Sequence, residues 1–416
     1  MSLNSAMFVA VTGVQAYGNA MNVTSDNLAN VNTIGFKGSN VVFSDILASH
    51  VANGSSTMQI GRGSLINGIS PSFTQGSFET TGASTDMAIQ GAGFFIVKSP
   101  KSDSGSFYTR AGNFIVNNEG QLVNNNNYKL QGYKITSAAG ETTSRESSFS
   151  NIDISGVQSI PKSTEEFRVG MNLDATAETG ATFSSSVNVY NAVGEESTIT
   201  IEFTKSANTL EWDWNVTAPT GITVTGAGAS GTMTFTDQGE LATPATDLDI
   251  TLTGFSSGAE PLTFDWNLVD DSSQEYKEIT SYGSDSVTNS VIQDGYSTGV
   301  LRSISVDDTG IISGLFSNGQ SKELWQVALA DFQSPWGLSR QGNSLFSETA
   351  NSGQPVTGVA NVGSFGSITG SAVELSNVDI AEQFVDLIRN QKAFQANSRT
   401  ISIVDEMTEE VINIIR

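Results

Sequence analysis

Apolar residues recur in steps of three and four at both ends of this chain and in steps of two between them. The N-terminal series is Leu3, Met7, Ala10, Val14, Tyr17 and Met21, resumed by Leu28 and Val31. It predicts an amphipathic helix of about 28 residues, roughly 42 Å long. The opposite face, with Asn4, Ser5, Thr12, Gln15, Asn19 and Asn22, is neutral. A solvated helix face ordinarily carries charge, so this one is expected to meet other protein. The C-terminal series is Ile380, Phe384, Leu387, Phe394, Ile401, Val404, Val411 and Ile415. No Gly or Pro interrupts it, and Ser376-Asn-Val-Asp379 has the spacing of a capping box with Ser376 as cap. The pattern predicts a helix of about 39 residues, near 60 Å, which needs a partner helix to be stable.

Period two governs the interior. Met87-Ala-Ile89, Gly93-Phe-Phe-Ile-Val97, Phe107-Tyr-Thr-Arg110, Asn113-Phe-Ile-Val116 and Gln121-Leu-Val123 read as short strands separated by Gly- and Asn-rich turns. The same texture returns with Leu301–Val306, Ile311–Phe316 and Leu324–Leu329. A middle block alternates most strictly. It sets Val187, Val189, Ile199, Ile201, Phe203, Leu210, Trp212, Trp214 and Val216 on one face, against Asn188, Thr198, Glu202, Glu211 and Asp213 on the other. Met233, Phe235, Ile250, Leu252, Phe264 and Trp266 continue it, predicting a β-sandwich or barrel inserted into the chain.

The fold class is therefore mixed and mainly β, with terminal helices pairing as a coiled coil around nested β-rich domains. The expected divisions are an axial core of 1–33 plus 374–416, connecting loops of 34–70 plus 351–373, a discontinuous β-domain of 71–145 plus 285–350, and an inserted domain of 146–284. Residues 351–371 read as a Gly/Ser-rich linker, a candidate hinge together with loop 30–70.

Composition narrows the chemistry. The chain has 416 residues and a net charge of −24 without any basic cluster, which argues against nucleic acid and anionic membranes as partners. No run is long enough for a membrane-spanning helix, so no membrane insertion is expected. Cys is absent, which removes disulfides, thiolate catalysis and Cys-ligated metals. The lone His50 has no partner for a His-based metal site and reads as a surface residue. Trp212 and Trp214 lie opposite the neighbouring acids, the pattern of core packing rather than of a glycosidase cleft. No enzyme activity, cofactor or metal is expected. Residues 1–36 also lack Lys and Arg, hence the basic start of a secretory signal peptide, so this segment is expected to stay in the mature protein.

One segment is more specific. Asn27-Leu28-Ala29-Asn30, followed by Thr33, Gly35, Phe36 and Lys37, would stop the first helix, take a glycine-only turn at Gly35 and dock a loop through Phe36. This wording resembles the N-terminal signature of the bacterial flagellar axial proteins, the rod and hook family. Asp86-Met-Ala-Ile89 with Gly91-x-Gly93-Phe94-Phe95, and Tyr108-Thr-Arg110-x-Gly112-x-Phe114, are similar to that family's β-domain motifs. Gly363-Ser-Phe-Gly366 and Ser376 through Asn397 are similar to its C-terminal signature. The resemblance covers about residues 1–135 and 290–416; no motif in the inserted block matches.

The resemblance implies a structural subunit that polymerises helically with itself, its terminal helices forming an inner layer around an export channel. It further implies a curved tube working as a universal joint between rod and filament, located at the cell exterior. Implied partners are rod, hook-cap and hook–filament junction proteins and the flagellar type III export apparatus. The large insertion favours the hook branch over a shorter distal rod branch. A secreted β-rich adhesin or carbohydrate-binding protein is the reading from a different class.

Overall fold

The computed structural model describes residues 3–53, 56–100, 105–136, 144–268 and 278–415, with the side chains of 3–4, 49–60 and 415 outside that description. The Leu3, His50 and Ile415 side chains therefore fall outside the described residues. The chain divides into two compact units, one of residues 1–156, 303–314 and 323–416 and the other of 157–302 and 315–322.

The first unit contains both long helices, α1 (Leu3–Ala29) and α2 (Ile380–Ile415). Helix α1 ends where Asn30 turns back, its side-chain amide donating to the Asp26 carbonyl at 2.9 Å. The start of α2 differs from expectation. Asp379, not Ser376, is the cap: its Oδ1 accepts from the Ala381 and Glu382 N–H groups at 2.7 and 3.1 Å. The Ser376 hydroxyl accepts instead from the Val378 N–H, at 3.3 Å, one turn too early to open the helix.

Antiparallel sheet fills the rest of this unit. The strand Lys129–Thr136 pairs with Phe94–Lys98 and Ser144–Asn151 and, over residues 325–327, with Ser321–Val327. Phe94–Lys98 pairs in turn with Ser106–Thr109, which meets Leu345–Ser347. Phe94, Ile96, Tyr108, Phe332 and Phe346 share one core there, the aromatic rings meeting edge to face in pairs such as Tyr108–Phe332 at 4.8 Å.

Residues 351–371 are not slack. Val356–Gly358 pairs with Leu329–Asp331, Ser367–Gly370 pairs with Met87–Gln90, and Ala372–Glu374 pairs with Phe78–Thr80. Glycine and serine suit strands this short and this close to other backbone: a Cβ on Gly366 would lie 2.1 Å from the Gln90 carbonyl oxygen. The 30–70 segment is likewise built, as an antiparallel ribbon of Ser39–Asp45 with Ser64–Pro71.

The second unit is a β-sandwich. One sheet is a meander of Thr182–Tyr190, Glu196–Lys205, Glu211–Thr217, Ser230–Phe235 and Leu241–Thr243. The other orders Thr223–Thr225, Leu248–Thr253, Leu262–Trp266, Glu166–Asn172 and Ile279–Thr280, with Val287–Gln293 also on Glu166–Asn172. Their inner faces bury one core in which Trp266 stacks on Phe167 at 5.8 Å. Trp212 and Trp214 point into it, and the alternating residues of the sequence supply it. Leu210 is the exception, exposed because it precedes its strand and sits in the turn.

Candidate assembly site at the joined termini

Helices α1 and α2 run antiparallel, with Gly13 beside Asn397, Gly18 beside Phe394, and Thr24 near Asn390. At the end of α1 the Asn27 amide reaches the Gln383 side-chain oxygen at 3.0 Å. The buried positions of α1 are small or polar: Ala10, Gly13, Ala16, Ala20, Thr24 and Asn27. A Cβ on Gly13 would come 2.8 Å from the Asn397 side chain, so the close crossing depends on small residues.

This places the expected apolar stripe differently from a simple two-helix seam. Of its members Ala10 and Val404 are buried. Val14, Tyr17, Met21, Leu28, Val31, Leu387, Phe394 and Ile401 are half-buried, while Met7, Ile380, Phe384 and Val411 are exposed. Part of the α1 stripe is covered by the ribbon, where the Tyr17 and Phe43 rings lie 5.3 Å apart. The exposed part of α2 is widened by Val385, Ile388, Ile403, Met407 and Ile412. Phe384 and Ile388, one turn apart, remain 48% and 54% exposed. An apolar face of that extent is a candidate interaction surface.

The Asn27–Lys37 motif forms a knot just beyond α1. Asn27 bonds both backbone groups of Ser39: it accepts from the Ser39 N–H and donates to the Ser39 carbonyl, each at 2.8 Å. Gly35 has φ +65°, its N–H donates to the Glu374 carbonyl at 2.8 Å, and a Cβ there would lie 2.4 Å from the Ala111 nitrogen. Only glycine satisfies both conditions. The Arg340 guanidinium covers the Phe36 ring at 5.2 Å and donates to the Lys37 carbonyl. Asn377 ties the loop to the far end of the chain, accepting from the Gly38 N–H at 2.8 Å and donating to the Ser72 carbonyl at 2.9 Å.

At the centre of the knot is a buried charge cluster. Lys37 Nζ meets Glu374 Oε1 at 2.6 Å, and Arg110 Nη1 meets Oε2 at 3.4 Å. The remaining hydrogen-bond capacity is largely used: Lys37 donates to the Thr74 carbonyl at 2.8 Å, Arg110 to the Gly91 carbonyl at 2.7 Å, and the Gly76 N–H donates to Glu374 at 2.9 Å. Among the described residues Arg110 Nε has no hydrogen-bond partner, and its guanidinium lies 5.2 Å over the Phe94 ring. Burial holds the Lys37 ammonium below the ordinary lysine value, against the opposing pull of Glu374. Two cations share one carboxylate, so Glu374 is the group on which the cluster depends.

The cluster joins two of the motifs to a third segment: Lys37 from the first, Arg110 from the Tyr108-Thr-Arg110 motif, and Glu374 from the approach to α2. Sequence reasoning singled out the first motif but missed Glu374, Asn377 and Arg340 as its partners. A signal existed for Glu374, which ends a run, residues 349–373, without a single charged residue.

Four family models match in an order that follows the chain. Residues 7–37 match the flagella basal body rod protein model, 88–172 the flagellar hook protein FlgE/F/G D1 domain, and 151–296 the flagellar basal body protein FlaE D2 domain. Residues 369–414 match the flagellar basal body rod FlgEFG protein C-terminal model. Most of the inserted block, in which no motif stands out, falls within the D2-domain match. Flagellar hook protein FlgE of Borreliella burgdorferi is 32% identical, covering 98% of this chain and 99% of its own. The Treponema pallidum protein of the same name is 32% identical with 99% coverage of both, and the Escherichia coli protein 30% identical with 97% and 98%. End-to-end coverage favours neither the shorter distal rod reading nor the adhesin reading. The chain belongs to the flagellar hook protein family.

Proposed function

We propose that this hook subunit polymerises helically through the open apolar face of its paired terminal helices, forming an inner layer around the export channel. The observation that carries the proposal is the row of exposed Ile380, Phe384, Val385 and Ile388 on α2, beside a helix whose own seam is already filled by small residues. Burying such side chains against a neighbouring copy yields roughly 1.5–3 kcal/mol each. The stripe at Met7, Val14, Tyr17 and Met21 adds the matching surface on α1.

The tube is curved and works as a universal joint, each protofilament lengthening and shortening once per turn. Neutral, hydrated contacts between outer β-domains suit that motion, because little is lost when such a contact is exchanged for water. The rod, hook-cap and hook–filament junction proteins adjoin it, and the type III export apparatus delivers it.

Electron microscopy of basal bodies from a deletion strain tests this reading. A complete rod and rings without a hook is the expected result. A rod cut short within the rings, or intact flagella, overturns it. The paired substitution F384S/I388S is expected to leave the isolated chain folded while abolishing hooks.

A further inference from the structure

A neutral strip of the first unit has no role in the site above. Residues 332–339 and 349–373 contain no charged residue in a chain of net charge −24. Two copies of so acidic a chain repel each other over most of their surface, and least where both are neutral. Within this strip Trp336 is 63% exposed, whereas Trp212, Trp214, Trp266 and Trp325 are buried.

The ring stands on a rigid seat. Pro335–Gly337 is a 3-10 turn, closed by the Gly337 N–H donating to the Ser334 carbonyl at 3.1 Å. The Thr349 hydroxyl donates to the Gly337 carbonyl at 2.6 Å, and a Cβ on Gly337 would lie 2.5 Å from the Asn351 carbonyl carbon. A turn already held in place has little backbone entropy left to lose when the ring it carries docks. Beyond this turn, Val356–Gly358 pairs along one side only among the described residues. That free edge carries no charge of the kind that normally protects an edge strand, and its Val356 is 62% exposed.

We propose that Trp336 is the anchor of a contact between neighbouring copies, in which the uncharged edge Val356–Gly358 also takes part. The inference rests on the hook-polymer reading and names a second contact, on the β-rich body rather than on the helices. An exposed tryptophan on a well-held turn is the kind of residue that anchors interface hot spots.

Acrylamide quenching of tryptophan fluorescence tests it on the unsubstituted protein, comparing isolated hooks with the monomers dissociated from them. The expected result is a quenchable component in monomers that falls at least about threefold in hooks and is missing from both states of W336F. W336A monomers are expected to keep the wild-type thermal transition while the critical concentration for assembly rises about tenfold or more. Trp336 equally quenchable in hooks and monomers, or W336A assembling as wild type does, overturns the proposal and leaves the hook reading intact. A wild-type chain that forms no polymer removes both. If W336A does not fold, the quenching comparison decides alone.

Discussion

Lys37 Nζ and Glu374 Oε1 lie 2.6 Å apart in a fully buried ion pair, although 337 positions separate them in the chain. Arg110 shares the same carboxylate, so the three positions are energetically unequal. Removing Glu374 strands two buried cations, whereas removing Lys37 leaves Glu374 still paired with Arg110. E374A is therefore expected to cost the first unit about 3–5 kcal/mol, and K37M distinctly less. Denaturant unfolding of both variants checks the order, and K37M costing as much as E374A would sink the argument.

Gly35 combines a positive φ with a backbone neighbour where a methyl group would go, whereas Gly82 has φ +73° with open space around it. G82A is expected to incur only backbone strain, about 1–3 kcal/mol. G35A incurs that strain and a clash with the Ala111 nitrogen, and also disturbs the Gly35 hydrogen bond to Glu374. Equal thermal midpoints for the two variants would show that the close approach is unimportant.

In the second unit, Asp294 joins Lys162 to the Glu165 and Glu166 N–H groups, at 2.7, 2.9 and 3.1 Å. Burial pushes its pKa up, but the Lys162 hydrogen bond and the two backbone donors outweigh it, and the net shift is downward. A depressed aspartate pKa contributes stability above the unfolded value, near ~4, that is lost as pH falls through the folded value. D294N is expected to be less stable by about 1–2 kcal/mol at neutral pH, with the gap closing in acid. Urea midpoints measured across that range check it; a gap independent of pH would count against the charge-based account.

Deleting residues 361–364 separates a slack hinge from a strand connector in the Gly/Ser-rich segment 351–371. A slack hinge tolerates the loss. A strand connector does not, since Val356–Gly358 and Ser367–Gly370 are held by different partners. The deletion is expected to lower the thermal midpoint of the chain by several degrees, and an unchanged midpoint would restore the hinge.

Residues whose neighbours are close in sequence announced themselves. Trp212 and Trp214 alternate with Glu211 and Asp213, and the strand Glu211–Thr217 follows directly. The terminal helices were equally plain from Met7, Ala10 and Val14 or from Phe384 and Leu387. Glu374 was not, because what gives it meaning is the arrival of Lys37 and Arg110 from distant segments. Strands of three or four residues, such as Ser367–Gly370, are too short to show a period and take their pairing from Met87–Gln90 far upstream. The α1 seam was hidden for another reason: helical periodicity marks large apolar residues, and this crossing uses Gly13, Ala16 and Ala20.

The span of the Lys37–Glu374 pair also orders events in time. A ribosome delivers Lys37 and Arg110 early and Glu374 only near the end of synthesis. Until then both cations stay hydrated, because burying them without their carboxylate is too costly. Closing so wide a loop is entropically slow, so the knot forms late. A chain interrupted before residue 374 can never form it. The ion pair thus makes closure of the body wait for Glu374, which arrives directly ahead of the helix Ile380–Ile415.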